Sequence, residues 1–195
     1  GMYESLGVRR RRIHVTGMMK FDAAEAGRGV DGAEVRASAL GLSGREKLVV
    51  AGGTGPGEER MILDLWSNLA SKHPDARLAL VPRKPERFDE VARLIGASGF
   101  EPVRRSRRPD GQAGRALADP GKVILGDTMG ELRKLYALAC CVFVGRSLVP
   151  MGGSDMIEAA ALGKATCFGP YTYNFPQAEH LAANGCVRLA GAGRL

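Results

Sequence analysis

The feature that most constrains the fold is a repeated alternation of short apolar runs with longer amphipathic stretches. The apolar runs are predicted strands and occupy residues 47–51, 77–81, 101–103, 122–125, 140–144, 165–168 and 186–189. Between the first two, the spacing of Met61, Ile62, Leu65, Trp66 and Leu69 predicts one apolar face of a helix. Strands that alternate with helices of ten or more residues favour right-handed βαβ units. The pattern therefore predicts an α/β fold, a Rossmann-like doubly wound parallel sheet with helices on both faces.

Composition agrees with one folded domain in a reducing compartment. The chain has 195 residues, of which 45% are apolar and 25% charged. No apolar run approaches the ~20 residues of a membrane span, so none is expected. The four cysteines are scattered and do not form a secreted disulfide framework. We expect residues 1–45, with weak periodicity, to be a lead-in or interdomain segment, and 46–195 to be the Rossmann-like domain. No signal peptide is evident, which predicts a cytoplasmic protein.

Net charge narrows the class of partner. Twenty-eight Lys and Arg against 21 Asp and Glu give +7, which suits nucleic acid, an acidic membrane surface or a small anionic ligand. Proteins that stack nucleic-acid bases use aromatic side chains, and only 6% of this chain is aromatic. Nucleic acid is therefore not expected. The two arginine-rich stretches, 9–12 and 104–108, are expected to be solvated loops.

The first two candidate site segments follow the first two strands. Gly52, Gly53, Thr54 and Gly55 lie between a strand and a helix, where small residues and free backbone N–H groups accept a phosphate. No Lys follows as in a Walker loop, and a plain tight turn explains the glycines equally well. Pro82 and Arg83 end the second strand, so the planar guanidinium is available for phosphate oxygens or a base carbonyl, with a solvated helix start as the alternative.

Two further segments follow later strands. In 126–132, Asp127 or Thr128 with Glu131 predicts a helix capping box, and the alternative is that Met129, Gly130 and Glu131 contact a nucleoside. In 145–158, a glycine pair is followed by a helix predicted to begin near residue 154, capped by Ser or Asp. This arrangement predicts a phosphate seat beside a ribose acceptor, or simply a first-turn acid. The candidate residues there are Ser154, Asp155, Met156, Ile157 and Glu158.

Together the four segments supply backbone N–H donors and arginine. They lie outside the carboxyl ends of the strands, where a parallel sheet binds ligands. His14, His73 and His180 lack metal-ligand spacing, and no Asp-x-Asp pair is present to hold a divalent cation. The residues alone thus predict a metal-free nucleotide-binding domain.

Five motifs in one order resemble the bacterial 3-deoxy-D-manno-octulosonic acid (Kdo) transferases of lipopolysaccharide synthesis. They are VTGMMKFD at 15–22, GTGPGEE at 53–59, VPRKPER at 81–87, GDTMGEL at 126–132 and FGPYTYNF at 168–175. The resemblance covers nearly the whole chain, as the C-terminal half of a B-type glycosyltransferase.

The resemblance implies that this half binds the CMP part of the donor, CMP-Kdo, without a metal or other cofactor. It implies CMP contacts for Pro82 and Arg83, for Met129, Gly130 and Glu131, and for 155–158. Lys20 would support the transition state near the interdomain cleft. The lipid A precursor and the general-base glutamate would belong to an N-terminal domain absent from this sequence. The full enzyme would lie on the cytoplasmic face of the inner membrane, and these residues alone would not catalyse transfer.

The sequence departs from the family in three segments. Met18 stands where the family usually has Asn, Gly53, Thr54 and Gly55 stand where it has Ser-Thr-His, and 154–159 replaces His-Asn-Pro-Leu-Glu-Pro. Asp155 replaces a neutral amide by an anion at the expected phosphate seat, which should weaken donor binding unless it turns away. A divergent glycosyltransferase using another nucleotide sugar, and a non-catalytic nucleotide-binding domain, therefore remain alternatives.

Overall fold

The computed structural model describes residues 2–14, 29–112 and 119–191. In these ranges the strands form one seven-stranded, fully parallel sheet in the order β3-β4-β2-β1-β5-β6-β7. The strands are β1 Lys47–Thr54, β2 Ala76–Pro82, β3 Glu101–Arg104, β4 Lys122–Leu125, β5 Cys141–Val144, β6 Ala165–Phe168 and β7 Val187–Arg188.

Helices cover both faces of the sheet. They are α1 Met2–Ser5, α2 Ala33–Leu40, α3 Glu58–Lys72, α4 Phe88–Ala97, α5 Leu132–Leu138, α6 Ile157–Ala161 and α7 Gln177–Ala183, with 3-10 turns at Arg10–Arg12, Pro85–Arg87 and Arg105–Arg107. One apolar core lies under α3 and α4 and includes Leu63, Trp66 and Ile95. The other lies under α2, α5, α6 and α7 and includes Leu40 and Leu135. The predicted α/β Rossmann-like doubly wound fold is confirmed.

The strand order places the ligand crevice. From β1 the chain moves to β2 and beyond on one side, and then returns to the other side of β1 as β5. The crossovers on the two sides of β1 therefore diverge, which opens a crevice at the carboxyl ends of these strands. The strands that end at this crevice, β1, β2 and β5, are short and largely apolar, as the periodicity predicted.

Two predictions about the helices are wrong, and one helix was not predicted. On α3 the buried side chains include Leu63, whereas Leu69 is 45% exposed, so the apolar face is rotated from the predicted one. The helix predicted from about residue 154 begins only at Ile157. Helix α2, which no pattern predicted, packs against α5 and places Leu40 in the core. Where the domain begins relative to residue 46 stays a prediction.

Within the described ranges, no helix combines the length and the apolar character that crossing a membrane requires.

Candidate functional site

A cavity of about 420 Å³ lies at the carboxyl ends of β1, β2 and β5. Its lining combines backbone, two arginines and two carboxylates: Gly53, Arg83, Leu132, Tyr136, Arg146, Gly153, Ser154, Asp155, Glu158, Asn174 and Phe175. It is the crevice that the strand order creates. A polar cavity lined by both cations and acids is suited to a ligand that carries both an anion and hydroxyl groups.

A smaller pocket of about 80 Å³ adjoins this cavity. The two share Gly53, Arg83 and Leu132, and the smaller one is completed by Val81, Pro82, Thr128, Met129 and Gly130. Arg83 thus stands at the junction of the two spaces. Its backbone N–H donates to the Thr54 carbonyl at 3.0 Å, which ties the end of β2 to the end of β1. Its side chain is exposed, and no side chain among the described residues accepts a hydrogen bond from its guanidinium.

Gly53, the penultimate residue of β1, lies in close contact with the loop before α6. Gly53 has a φ of 66°, and a Cβ there would lie 2.9 Å from the Ser154 Oγ. The Ser154 hydroxyl donates to the Gly53 carbonyl at 3.1 Å. Only glycine fits this approach without strain, because the backbone is left-handed and the space is filled. The contact between Gly53 and Ser154 therefore joins the candidate segment at the end of β1 to the one before α6.

The predicted Ser or Asp cap of α6 is wrong, because the N-cap is Met156 and no side chain caps the helix. Asp155 Oδ1 instead accepts a hydrogen bond from the Ile157 N–H at 3.1 Å, two residues further along the chain. The carboxylate is directed in part toward its own helix while still lining the cavity. Glu158 lies one turn further on the same wall.

Tyr136 closes the cavity floor. The side chain is 1% exposed, and its ring and hydroxyl fill the space beside Gly52. Burial raises the pKa of Tyr136 far above its ordinary value, and the nearby carboxylates of Glu158 and Asp155 raise it further. The phenol is therefore neutral at physiological pH.

Glu58 fixes the loop after β5. Its carboxylate is fully buried and accepts four backbone hydrogen bonds. The donors are Gly55 at 2.9 Å, Arg146 at 2.5 Å, Ser147 at 2.8 Å and Leu148 at 2.8 Å. This buried anion joins the turn after β1 to the loop that carries Arg146, since it supplies acceptors that no strand offers there.

The chain is similar to curated proteins over about nine tenths of its length. It is 35% identical over 179 residues to the 3-deoxy-D-manno-octulosonic acid transferase of Haemophilus influenzae, and 35% identical over 188 residues to that of Bordetella pertussis. These alignments take in 90% and 91% of the chain but 39% and 41% of the relatives, so the chain spans about two fifths of their length. No family model matches the chain.

A solved structure matches closely in shape. It is the crystal structure of the C-terminal CMP-Kdo binding domain of WaaA from Acinetobacter baumannii, with a TM-score of 0.71 and 29% identity over 90% of this chain and 84% of that one. The resemblance to the Kdo transferases is confirmed. The part of a Kdo transferase that the chain resembles is the C-terminal domain, as the motifs predicted.

Eight of the predicted site residues line the two adjoining spaces. They come from four separate segments: Gly53, Pro82, Arg83, Met129, Gly130, Ser154, Asp155 and Glu158. Lys20 and the motif at 15–22 lie outside the described residues. The predicted nucleotide contacts themselves stay predictions.

The structure directs four of the proposed side chains elsewhere. The Thr54 hydroxyl is buried and donates to Glu59 at 2.8 Å. Met156 and Ile157 are buried in the core. The carboxylate of Glu131 accepts from Arg36 at 2.5 Å and pairs with Arg105 at 3.2 Å, away from the cavity lining.

The predicted capping box of α5 is wrong. The helix begins at Leu132, one residue after Glu131, and no side chain caps it. The Thr128 hydroxyl binds the Glu131 carboxylate instead of a backbone N–H. Asp127 accepts hydrogen bonds from the N–H and hydroxyl of Ser106, at 2.8 and 2.7 Å, so tertiary contacts have replaced the local cap.

The prediction that 104–108 is a solvated basic loop is also wrong. Arg105 is 6% exposed and pairs with Asp110 and Glu131, while Arg104 pairs with Asp89 and Asp127. These acids come from three separate segments of the chain, so the local sequence around 104–108 does not reveal the ion pairs.

Several cavity residues were not among the predicted contacts, and the most important of them is Arg146. Arg146 lies in the fourth candidate segment, shortly after β5, as Arg83 lies after β2, and this position at the carboxyl end of a strand could have indicated it. Asn174 and Phe175 belong to a quoted motif but were not chosen. Tyr136 and Leu132 were assigned only to the core face of α5.

No group of three or more His, Cys, Asp or Glu side chains in the described ranges could hold a metal ion. That the chemistry needs no metal stays a prediction.

Proposed function

We propose that the chain is the donor-binding domain of a B-type glycosyltransferase that transfers Kdo from CMP-Kdo to a lipid A precursor. The observation that carries the proposal is the cavity at the β1/β5 crevice, lined by Arg83 and Arg146, in a fold that matches a CMP-Kdo binding domain. The names of the curated relatives support the same donor.

In this proposal each wall binds a different part of the nucleotide. The small pocket around Met129 and Gly130 offers backbone groups to the base edge. Glu158 accepts hydrogen bonds from the ribose hydroxyls, as a carboxylate can accept two at once. Arg83, at the junction, binds the phosphate with its planar fork.

The chemical step follows from these positions. When the sugar–phosphate bond breaks, negative charge develops on the CMP phosphate. Arg83 stabilises this charge from the carboxyl end of β2, which lowers the barrier. We propose that this electrostatic support replaces a metal. Lys20 adds to it, and the general base and lipid A precursor come from a further domain on the cytoplasmic face of the inner membrane.

Asp155 favours a second candidate, a related glycosyltransferase domain with a different nucleotide-sugar donor. Its carboxylate lines the cavity, and an anion near a phosphate weakens binding. A domain that binds no nucleotide sugar productively is the third outcome.

Calorimetric titration with CMP, UDP, ADP and NAD separates these functions. We expect CMP to bind most tightly, and Arg83→Ala to weaken CMP at least tenfold, about 1.4 kcal/mol. The matched control is Lys84→Ala, which removes the adjacent exposed cation outside both cavities and should change the affinity less than twofold. Preference for UDP or ADP supports the second candidate. Equal CMP affinity in the wild type and Arg83→Ala contradicts the proposed site.

A further inference from the structure

We infer that Arg146 is a second oxyanion-binding residue of this cavity, and that it offsets the carboxylate of Asp155. The inference rests on the proposed function, because it assigns a further contact for the anionic part of a nucleotide-sugar donor. Arg146 belongs to none of the predicted contacts, and its role follows from four observations.

The backbone of Arg146 is held in a conformation that arginine rarely adopts. Its φ is 59°, the one positive φ of a non-glycine residue among the described ranges. Such a conformation costs free energy and persists only where the surroundings enforce it. Here the Arg146 N–H donates to the Glu58 carboxylate at 2.5 Å, and its carbonyl accepts from the Gly153 N–H at 2.7 Å.

The neighbouring turn leaves room for the side chain. A Cβ on Gly55 would lie 3.2 Å from the Arg146 Cγ and 2.6 Å from the Met151 Sδ. The absence of a side chain at Gly55 therefore lets Arg146 pass between the turn after β1 and the loop after β5. Arg146 lines the cavity together with Gly53 and Gly153.

The guanidinium keeps most of its donors available. Its Nη2 donates a long hydrogen bond of 3.3 Å to the Met151 carbonyl, and its Nε is buried without an acceptor in the described part of the chain. An arginine has five N–H donors, so the group is short of acceptors. A ligand oxyanion in the cavity would supply them.

The charges in the cavity explain why a second cation is needed. The lining carries two carboxylates, Asp155 and Glu158, and two guanidiniums, Arg83 and Arg146. With Arg83 alone, the formal charge of the lining would be −1 and would oppose an anionic ligand. Arg146 restores the balance, so the acid at the expected phosphate seat is compatible with donor binding.

Arg146→Gly tests the inference, because glycine adopts the left-handed backbone without strain. The matched control is Arg45→Gly, which removes an exposed arginine before β1, at the opposite end of the sheet. We expect Arg146→Gly to unfold at the wild-type temperature or above, and to bind CMP-Kdo about tenfold more weakly. Arg45→Gly should bind CMP and CMP-Kdo as the wild type does. Cytidine, which has no oxyanion, should bind both variants and the wild type alike.

Two ligands identify the oxyanion. If Arg146 binds the phosphate, CMP and CMP-Kdo weaken by the same factor. If it binds the carboxylate of the sugar acid, CMP-Kdo weakens about tenfold and CMP hardly at all. Unchanged affinity for both ligands overturns the inference, as does an equal loss for cytidine, which would indicate a structural role.

The inference can fail separately from the proposed function. If the wild type prefers UDP or ADP, the donor proposed above is wrong, and the ratio of wild-type to Arg146→Gly affinity for that nucleotide decides the role of Arg146. If the wild type binds none of these nucleotides, both proposals are overturned.

Discussion

Replacing Glu58 by glutamine should strongly destabilise the protein, although the two side chains have nearly the same shape. The Glu58 carboxylate accepts two N–H groups on each oxygen: Gly55 and Arg146 on Oε2, Ser147 and Leu148 on Oε1. In glutamine one of these oxygens becomes an NH₂ group, so two buried N–H donors lose their acceptor and face another donor.

The magnitude follows from those two lost bonds. A hydrogen bond to a charged group contributes about 1.5–3 kcal/mol, so two of them represent about 3–6 kcal/mol. The neutral amide is less costly to bury than the carboxylate, which offsets part of this loss. We expect a net loss of about 3 kcal/mol, or about 6–12 °C in Tm for a domain of this size.

Differential scanning calorimetry of Glu58→Gln against Asp64→Asn measures this effect. Asp64 is exposed on the same helix, so its replacement removes the same charge and should change stability by about 0.5 kcal/mol or less. A Glu58→Gln protein within 2 °C of this control would refute the role assigned to the buried carboxylate.

Two further predictions concern the core and the cysteines. Gly52→Ala should cost about 1–3 kcal/mol, because its Cβ would lie 2.6 Å from the Tyr136 Cε1 and 2.7 Å from its Cζ. Gly96→Ala in α4, with nothing within 4 Å of the new Cβ, should instead stabilise by about 0.5–1 kcal/mol; equal urea midpoints for the two variants would contradict this. The Cys167 thiol donates to Cys141 and holds the pKa of Cys141 below its usual range, whereas burial raises the pKa of Cys140. The rate of iodoacetamide labelling rises with pH as thiolate forms, so its midpoint should be lower for Cys141 than for Cys140, and Cys167→Ala should raise the Cys141 midpoint; an unchanged midpoint in that variant would show that the hydrogen bond is not the cause.

The sheet could be predicted from the sequence because its signals are local. Strands β2, β4, β5 and β6 are short apolar runs that end in proline or are followed directly by glycine, and the ligand-binding edge follows from the parallel order. The same reasoning placed Gly53, Arg83 and Glu158 around one crevice, although they come from distant parts of the chain.

The rest depends on contacts that no local pattern encodes. Glu58 lies in the first turn of α3, where an acid suits the helix dipole, yet its partners Ser147 and Leu148 lie 89 and 90 residues away. Glu131 was assigned to a local cap, yet it pairs with Arg36, 95 residues away. In both cases a distant buried partner outweighs the weaker local interaction. The left-handed backbone of Arg146 follows from the Glu58 contact and was equally hidden.

Backbone amide shifts during a CMP titration test the central claim most directly, because they locate the ligand residue by residue. The account predicts saturable shifts at Gly53, Arg83, Gly130 and Ser154, around the β1/β5 crevice, and none at Arg45 at the opposite end of the sheet. Saturable shifts that cluster away from this crevice would contradict it.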